Sequence, residues 1–231
     1  LKDVAIESLK LKQSLRSING TIQYHAPTLS WKELSLTWQD KPYLLNGYVQ
    51  DFTRPYLVTS LKSEDITLDI EARKKDDDIR VESLTGRWFG SSLNASGLVS
   101  LRKGQEPVID LVASGKVSLE DLPRILPMYA KEITDLKLGG VLQVKASIKG
   151  LASDWPHWNS TLSVTTPSLS CMGYQIENVD LETAAKDGTA DPLEIKGNLY
   201  GGDLGIISTI NLDRNGFPFE STFKLDKTNL E

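Results

Sequence analysis

The chain has 231 residues, 39% of them hydrophobic and 25% charged, which places it among folded proteins and outside the disordered class. A formal charge of −5, with no Lys/Arg cluster interleaved with aromatics, gives no reason to expect a nucleic-acid partner. A single cysteine, Cys171, excludes an internal disulfide framework and a cysteine-based zinc site, and no run reaches the roughly 18 apolar residues of a membrane span.

In chain order, Val4 to Leu15 alternates loosely, as a first strand or a frayed end. Short strands follow at Ile18–Tyr24, Leu29–Trp31, Leu34–Trp38 and Tyr43–Val49, punctuated by Pro27 and Asp40-Lys-Pro42. Further strands are expected at Ile66–Ile70 and Ile79–Val81, with Arg73–Asp78 between them as a solvated hairpin loop.

Next comes a stretch that occurs twice. In Leu84-Thr-Gly86-Arg-Trp-Phe89-Gly90-Ser-Ser-Leu93 and in Ile195-Lys-Gly197-Asn-Leu-Tyr200-Gly201-Gly-Asp-Leu204, two glycines, the aromatic before the second glycine and the following leucine coincide, 111 residues apart. The same offset carries Leu101 onto Leu212, Pro107 onto Pro218 and Leu119 onto Leu230. Each copy continues as an alternating strand, a polar turn and a second alternating strand, the pattern of an antiparallel hairpin. The apolar side of the first copy is Leu93, Val99 and Leu101, then Ile109 and Leu111; that of the second is Leu204, Ile206, Ile210 and Leu212, then Phe219, Phe223 and Leu225. Gly86 and Gly197 are expected to mark bulges or crowded backbone, with Gly90 and Gly201 in the turns. A fainter third copy runs from Gly47 through Arg54-Pro55 to Leu68. Such units stack to lengthen a shared apolar surface.

Between the copies, Leu122, Ile125, Leu126, Tyr129 and Ile133 have helical spacing, with Ser118 placed as N-cap and Pro127 as a break, so two short helical turns are expected as a joint between sheet segments. Strands resume at Gly139–Gly150, where Leu142, Val144, Ala146 and Ile148 share a face, and continue with Leu162 and Val164, then Leu169, Tyr174–Ile176, Val179–Leu181 and Leu193–Ile195.

The fold class expected is mainly β: an elongated, curled antiparallel sheet built from repeats, with a short helical joint near 119–133. The segments read as 1–78, an N-terminal β-repeat; 79–118, the first strong repeat; 119–137, the joint; and 138–231, the second repeat segment. Leu1 in place of Met, and an end inside the repeat at Glu231, imply a piece of a longer protein.

Little in the chain points to catalysis. His25 lies in a strand and His157 in a Trp-Pro-His-Trp loop, and Glu64-Asp65, Glu120-Asp121 and Glu194 fall in turns or on polar faces, where solvation is expected. The glycine pairs open strands rather than helices, unlike a phosphate cradle. Three sequons, at Asn19, Asn94 and Asn159, are short enough to arise by chance. The five tryptophans suit packing better than a carbohydrate platform. No cofactor or metal is expected.

What remains is the apolar face: Leu93, Val99, Leu101, Ile109, Leu111, Leu142, Val144, Ile148, Leu162, Val164, Leu204, Ile206, Ile210, Leu212, Phe219, Phe223 and Leu225. As a closed core it would make a structural or adhesive rod. As an open trough it would shield acyl chains, each buried CH₂ contributing about 0.8 kcal/mol. Periodicity does not choose between the two.

The run Leu138–Gly150, the Trp-containing segment after it, Val179-Asp-Leu181 and Ile195–Leu204 resemble the AsmA-like proteins of Gram-negative envelopes, as does Val117–Leu122 through Leu126-Pro127. The resemblance covers roughly 80–231 well and the first third weakly. It implies a periplasmic segment of an inner-membrane-anchored protein, with a taco-shaped hydrophobic groove, phospholipids as partners, anchors outside this sequence, envelope proteins at its ends and a role in lipid movement towards the outer membrane. It offers no catalytic residues to carry over.

Overall fold

The computed structural model describes residues 2, 4–8, 13–38, 41–125, 129–210 and 219–226. They are mainly β, in antiparallel strands that do not close into a barrel. The first strands are β1 (Val4–Ser8), β2 (Gln13–His25), β3 (Thr28–Trp38), β4 (Lys41–Gln50), β5 (Tyr56–Lys62), β6 (Ile66–Lys75), β7 (Asp78–Trp88) and β8 (Ser91–Ser100). They are followed by β9 (Val108–Ser118), β10 (Gly139–Leu151), β11 (Asn159–Cys171), β12 (Tyr174–Lys186), β13 (Thr189–Ala190), β14 (Leu193–Leu199), β15 (Gly202–Ile210) and β16 (Phe219–Asp226). Sheet order follows chain order, with the two-residue β13 lying off the path on β12. Consecutive strands on this path are therefore antiparallel neighbours, the arrangement a chain of alternating strands and turns reaches with least loop closure.

Two compact units divide the chain, Leu1–Phe89 with Asn94–Lys103, and Gly90–Leu93 with Gly104–Glu231. The division falls within β8, not at the helical segment. That segment is a 3₁₀ turn (Leu119–Asp121), α1 (Leu122–Ile125) and α2 (Ala130–Asp135). The two short helical turns are present, and Pro127 lies outside the described residues. They lie between β9, which ends the first strong repeat, and β10, which opens the second segment. β9 and β10, on either side, pair with each other from Val141↔Ser118 to Leu151↔Val108, so the helices cap the end of one long hairpin. Ser118 makes no side-chain cap; its backbone N–H donates to Ser91 Oγ at 3.0 Å.

Several strands read as broken in the sequence are continuous, because a bulge rather than a loop absorbs the change of phase. In β3, Leu29 and Trp31 are followed by Leu34 and Leu36, and the register shifts between Trp31 and Leu34, where Glu33 takes φ 50°. In β2, Ser17 does the same at φ 51° between Arg16 and Asn19. In β12, Asn178 (φ 51°) separates Ile176 from Val179 and Leu181. A two-against-one bulge reverses the inward side of a strand, so each slip keeps apolar residues on one face.

The two strong repeats are reproduced as hairpins, β7–β8 and β14–β15, with the aromatic-glycine pairs Phe89-Gly90 and Tyr200-Gly201 between their strands. Gly86 is buried and paired with Leu68 without any bulge, its free space filled by the Trp88 ring at 3.1 Å. Gly197 is also in regular register with β15. The bulge expected there lies in the facing strand β12, and a Cβ at Gly197 would meet Ile176 Cγ2 at 3.0 Å and Glu177 O at 3.2 Å. The third copy does not match. Between Gly47 and Pro55 there is only the end of β4 and one turn, with no strand in the place of β8.

Candidate functional site

In antiparallel pairs, residues opposite one another share a face. In the second unit the register assembles one apolar face strand by strand. Ile109 faces Gly150, Leu111 faces Ile148, and Val117 faces Leu142. Val144 faces Gly115 on one side and Val164 on the other, and Leu162 faces Ala146. Val164 then meets Leu181, Leu181 meets Ile195, Ile195 meets Ile206, and Ile206 meets Phe223. Leu204 is opposite both Gly197 and Leu225. Ile210 and Phe219 are paired in backbone register, and Leu212 lies outside the described residues.

The register also adds residues that alternation alone leaves out. Leu181 and Ile195 link the β11 and β15 groups. Beyond the bulges, Leu169 pairs with Gly140 and with Ile176, and Ile176 with Leu199, so these too join the face. The usable signal is the odd spacing Ile176–Val179–Leu181, which reads as a phase slip rather than a break. Ser208, on the same face and buried, shares a hydrogen bond with Ser221 at 2.7 Å, which removes the cost of two hydroxyls there.

The first unit has its own apolar face. Trp31 faces Gly47, Leu34 faces Leu45, Leu45 faces Leu61, Leu61 faces Leu68, and Ile70 faces Leu84. Val99 belongs to this unit, in β8, whereas Leu101 lies one residue past the end of that strand. Leu93 lies in the second unit, where a Cβ added at Gly115 would come within 3.1 Å of the Leu93 Cα.

Exposure decides how the face is used. Among the described residues the buried hydrophobics are Ile18, Leu34, Tyr43, Ala72, Leu119 and Val179. Of the seventeen residues assigned to the face, Ile210, Leu212 and Phe219 lie outside the residues whose side chains are described, and none of the other fourteen is among those buried. These fourteen are half-buried or more open still, with Phe223 at 71% and Leu225 at 44% exposure.

The opposite face is largely polar and matched by pairs, with Val112, Val141 and Ile207 exposed among its polar residues. Lys149 and Asp110, opposite one another, form an ion pair at 2.7 Å, Ser147 and Thr161 hydrogen-bond at 2.7 Å, and Lys196 pairs with Glu194 at 3.4 Å. In the first unit Tyr56 donates to Glu71 and carries Arg73 over its ring at 4.6 Å.

The two ends of the second unit's face differ. At one end Trp158 lies over Gly150 and donates from Nε1 to Leu151 O at 2.6 Å. The turns there are polar: Ser153 donates to Glu106 at 2.6 Å, His157 Nδ1 lies 2.6 Å from Asp154, and Asp187-Gly188 closes β12 onto β13 with both residues at positive φ. At the other end the turns are Met172-Gly173 (φ 53° and 88°) and Tyr200-Gly201 (φ 51° and 73°). Two-residue hairpin turns of this kind favour Asn or Asp before Gly, because a bulky side chain in the left-handed region costs about 1–2 kcal/mol.

The candidate catalytic groups do not gather. Asp121 accepts from Gly90 N–H at 2.8 Å, Asp65 is 3.5 Å from Lys41, and His25 is exposed beside the β2–β3 turn. Among the described residues no group of three or more His, Cys, Asp or Glu is placed to hold a metal, and no helix is long and apolar enough to cross a membrane. No protein family, curated protein or solved structure matches the chain.

Proposed function

We propose that this chain is a non-enzymatic lipid-binding and lipid-conducting segment, whose apolar sheet face shields acyl chains while its polar face meets water. The observation that carries the reading is the exposure of the face: seven strands from β9 to β16, about 30 Å across at ~4.8 Å per strand, present aliphatic side chains in register, and among the described residues none of the assigned ones is buried. A rod with a dry core requires these side chains to be covered, so the exposure argues against it. The lipid slides passively, since a strip of aliphatic side chains reads chain length and fluidity rather than headgroups.

The resemblance to AsmA-like proteins supports a fuller version. The chain is then a periplasmic part of an inner-membrane-anchored protein in a Gram-negative envelope. Its ligands are phospholipids on their way to the outer membrane, its ends are held by envelope proteins, and its loss weakens the envelope.

Photo-crosslinking in cells tests the reading, with a photoreactive residue at Ile206 or, as control, at the neighbouring Ile207 in the full-length protein. Ile206 is on the apolar face, and Ile207, 49% exposed, is on the other. The expected result is a phospholipid adduct at Ile206 and none at Ile207. Protein adducts alone at Ile206 sink the proposal.

A further inference from the structure

We infer that the rim of the second unit carrying the Met172-Gly173 and Tyr200-Gly201 turns rests on a lipid bilayer, making it the end of the apolar face where lipids pass between membrane and protein; this rests on the function proposed above.

Three connections form that rim as one surface. Met172 N–H donates to Leu136 O at 2.7 Å, tying the β11–β12 turn to the connection after β9, and the Tyr174 and Tyr200 rings meet edge to face at 6.3 Å, tying it to the β14–β15 turn. Leu136, Met172, Tyr174 and Tyr200 are all exposed, Met172 at 62%. The choice of residue at the turns is the first argument. Met172 and Tyr200 occupy left-handed positions that Asn or Asp fills at lower strain, whereas the corresponding turn at the opposite end of the unit has Asp187. Something other than the turn selects an apolar side chain at both of these positions.

Position is the second argument. Tyr174 shares its face with Ile176, so the aromatic pair stands where the apolar face runs out. Side chains at the tips of protruding turns reach into a surface layer, and tyrosine, with an apolar ring and a polar hydroxyl, suits the headgroup level of a bilayer. The far rim has Trp155 exposed too, but among Glu106, Asp154, Asp187 and Asp191. Lys131, Lys137 and Arg124 on the near rim are outnumbered by Glu120, Asp121, Asp135, Asp203 and Asp226, so attachment is apolar rather than electrostatic and should not weaken as salt is raised.

The test is flotation of the whole chain with vesicles of phosphatidylethanolamine and phosphatidylglycerol. The parent is compared with Met172→Asn/Tyr200→Asn, in which Asn keeps the left-handed turns, and with Asp187→Asn as a control at the other rim. The parent and the control should float at low and high salt alike, and the double variant should bind about tenfold less, the loss expected when two inserted side chains worth ~1.4 kcal/mol together are removed. Retained melting temperature shows that the double variant is folded. Equal flotation of parent and double variant overturns the inference, as does a parent that never floats. A parent dimer that the variant lacks, with flotation unchanged, overturns it in favour of an interface between copies. Capture of lipid at Ile206 is read separately. If flotation follows the rim while Ile206 never captures lipid, the groove reading falls and the membrane contact stands.

Discussion

Trp158 occupies the space that a side chain at Gly150 would need: a Cβ at Gly150 would overlap Cδ1 of the indole and lie 3.0 Å from Cγ, while the indole N–H is held by Leu151 O. The glycine is therefore the floor on which the ring lies at one end of the apolar face. Gly150→Val should cost about 2 kcal/mol through overpacking and displacement of the ring, read as a lower urea midpoint. Adding Trp158→Ala should recover part of that loss, because the two changes share one space. Strict additivity would contradict the contact.

Glycines in β15 and in the turn before it separate two causes of cost. Gly201 has nothing within 4 Å of a prospective Cβ but sits at φ 73°, whereas at Gly205 a Cβ would meet only Lys224 Cβ, at 4.0 Å, without a left-handed backbone. Gly201→Ala should lose about 1 kcal/mol through backbone strain, while Gly205→Ala should be neutral or gain a few tenths through the unfolded chain, on the order of 0.4 kcal/mol. Urea titration of both variants distinguishes them, and equal losses would mean that the turn geometry is not the cause.

Alternation made the β15 and β10 faces legible, because Leu204, Ile206, Val144 and Ile148 lie where the register is regular on both sides, and Leu142 where it is regular towards β9. It was least informative where the chain changes phase. Leu29–Trp31 and Leu34–Trp38 read as two strands since their apolar residues fall on opposite parities, and only the left-handed Glu33 makes them one. Leu169 and Ile176 were missed for the same reason. Gly86 and Gly197 were readable as crowded, but which strand carries the bulge depends on the partner register, a long-range property. Whether the face is covered was not legible at all. Covered and open faces alternate identically, and only the exposure of residues such as Phe223 separates them.

Tyr56 offers a pH test on the polar face. Its hydroxyl donates to the Glu71 carboxylate, and that bond, followed by desolvation and the charge of Glu71, pushes its pKa up to about 12, against the weaker opposing pull of Arg73. The folded state thus holds the proton more tightly than the unfolded chain, whose tyrosine titrates near 10. The contribution to stability is complete below pH ~10 and fades as pH rises towards 12. Tyr56→Phe should remove an ionisation step near pH 12 from the ultraviolet titration and flatten the loss of stability across that window. Loss of a step near pH 10 instead, the ordinary tyrosine range, would show that Tyr56 is not held by Glu71.

The strongest contrast lies between two adjacent residues of β10. Val144 is on the apolar face between Gly115 and Val164, and Lys145 is on the polar face between Ser114 and Ser163. A carboxylate at position 144 meets no cation across the register and sits among aliphatic groups, so Val144→Asp should cost about 2 kcal/mol, whereas Lys145→Asp, at an exposed site, should stay within about 0.5 kcal/mol. The functional consequence separates further. With a photoreactive residue at Val164, Val144→Asp should reduce lipid capture about tenfold, as ~1.4 kcal/mol of lost acyl contact would, and Lys145→Asp should leave it intact. Since half-buried sites tolerate a charge better than a sealed core, a folded Val144→Asp protein that no longer captures lipid is the outcome an open apolar face requires. A Val144→Asp protein that fails to fold, beside a parent with no lipid at Val164, is the outcome of a closed core.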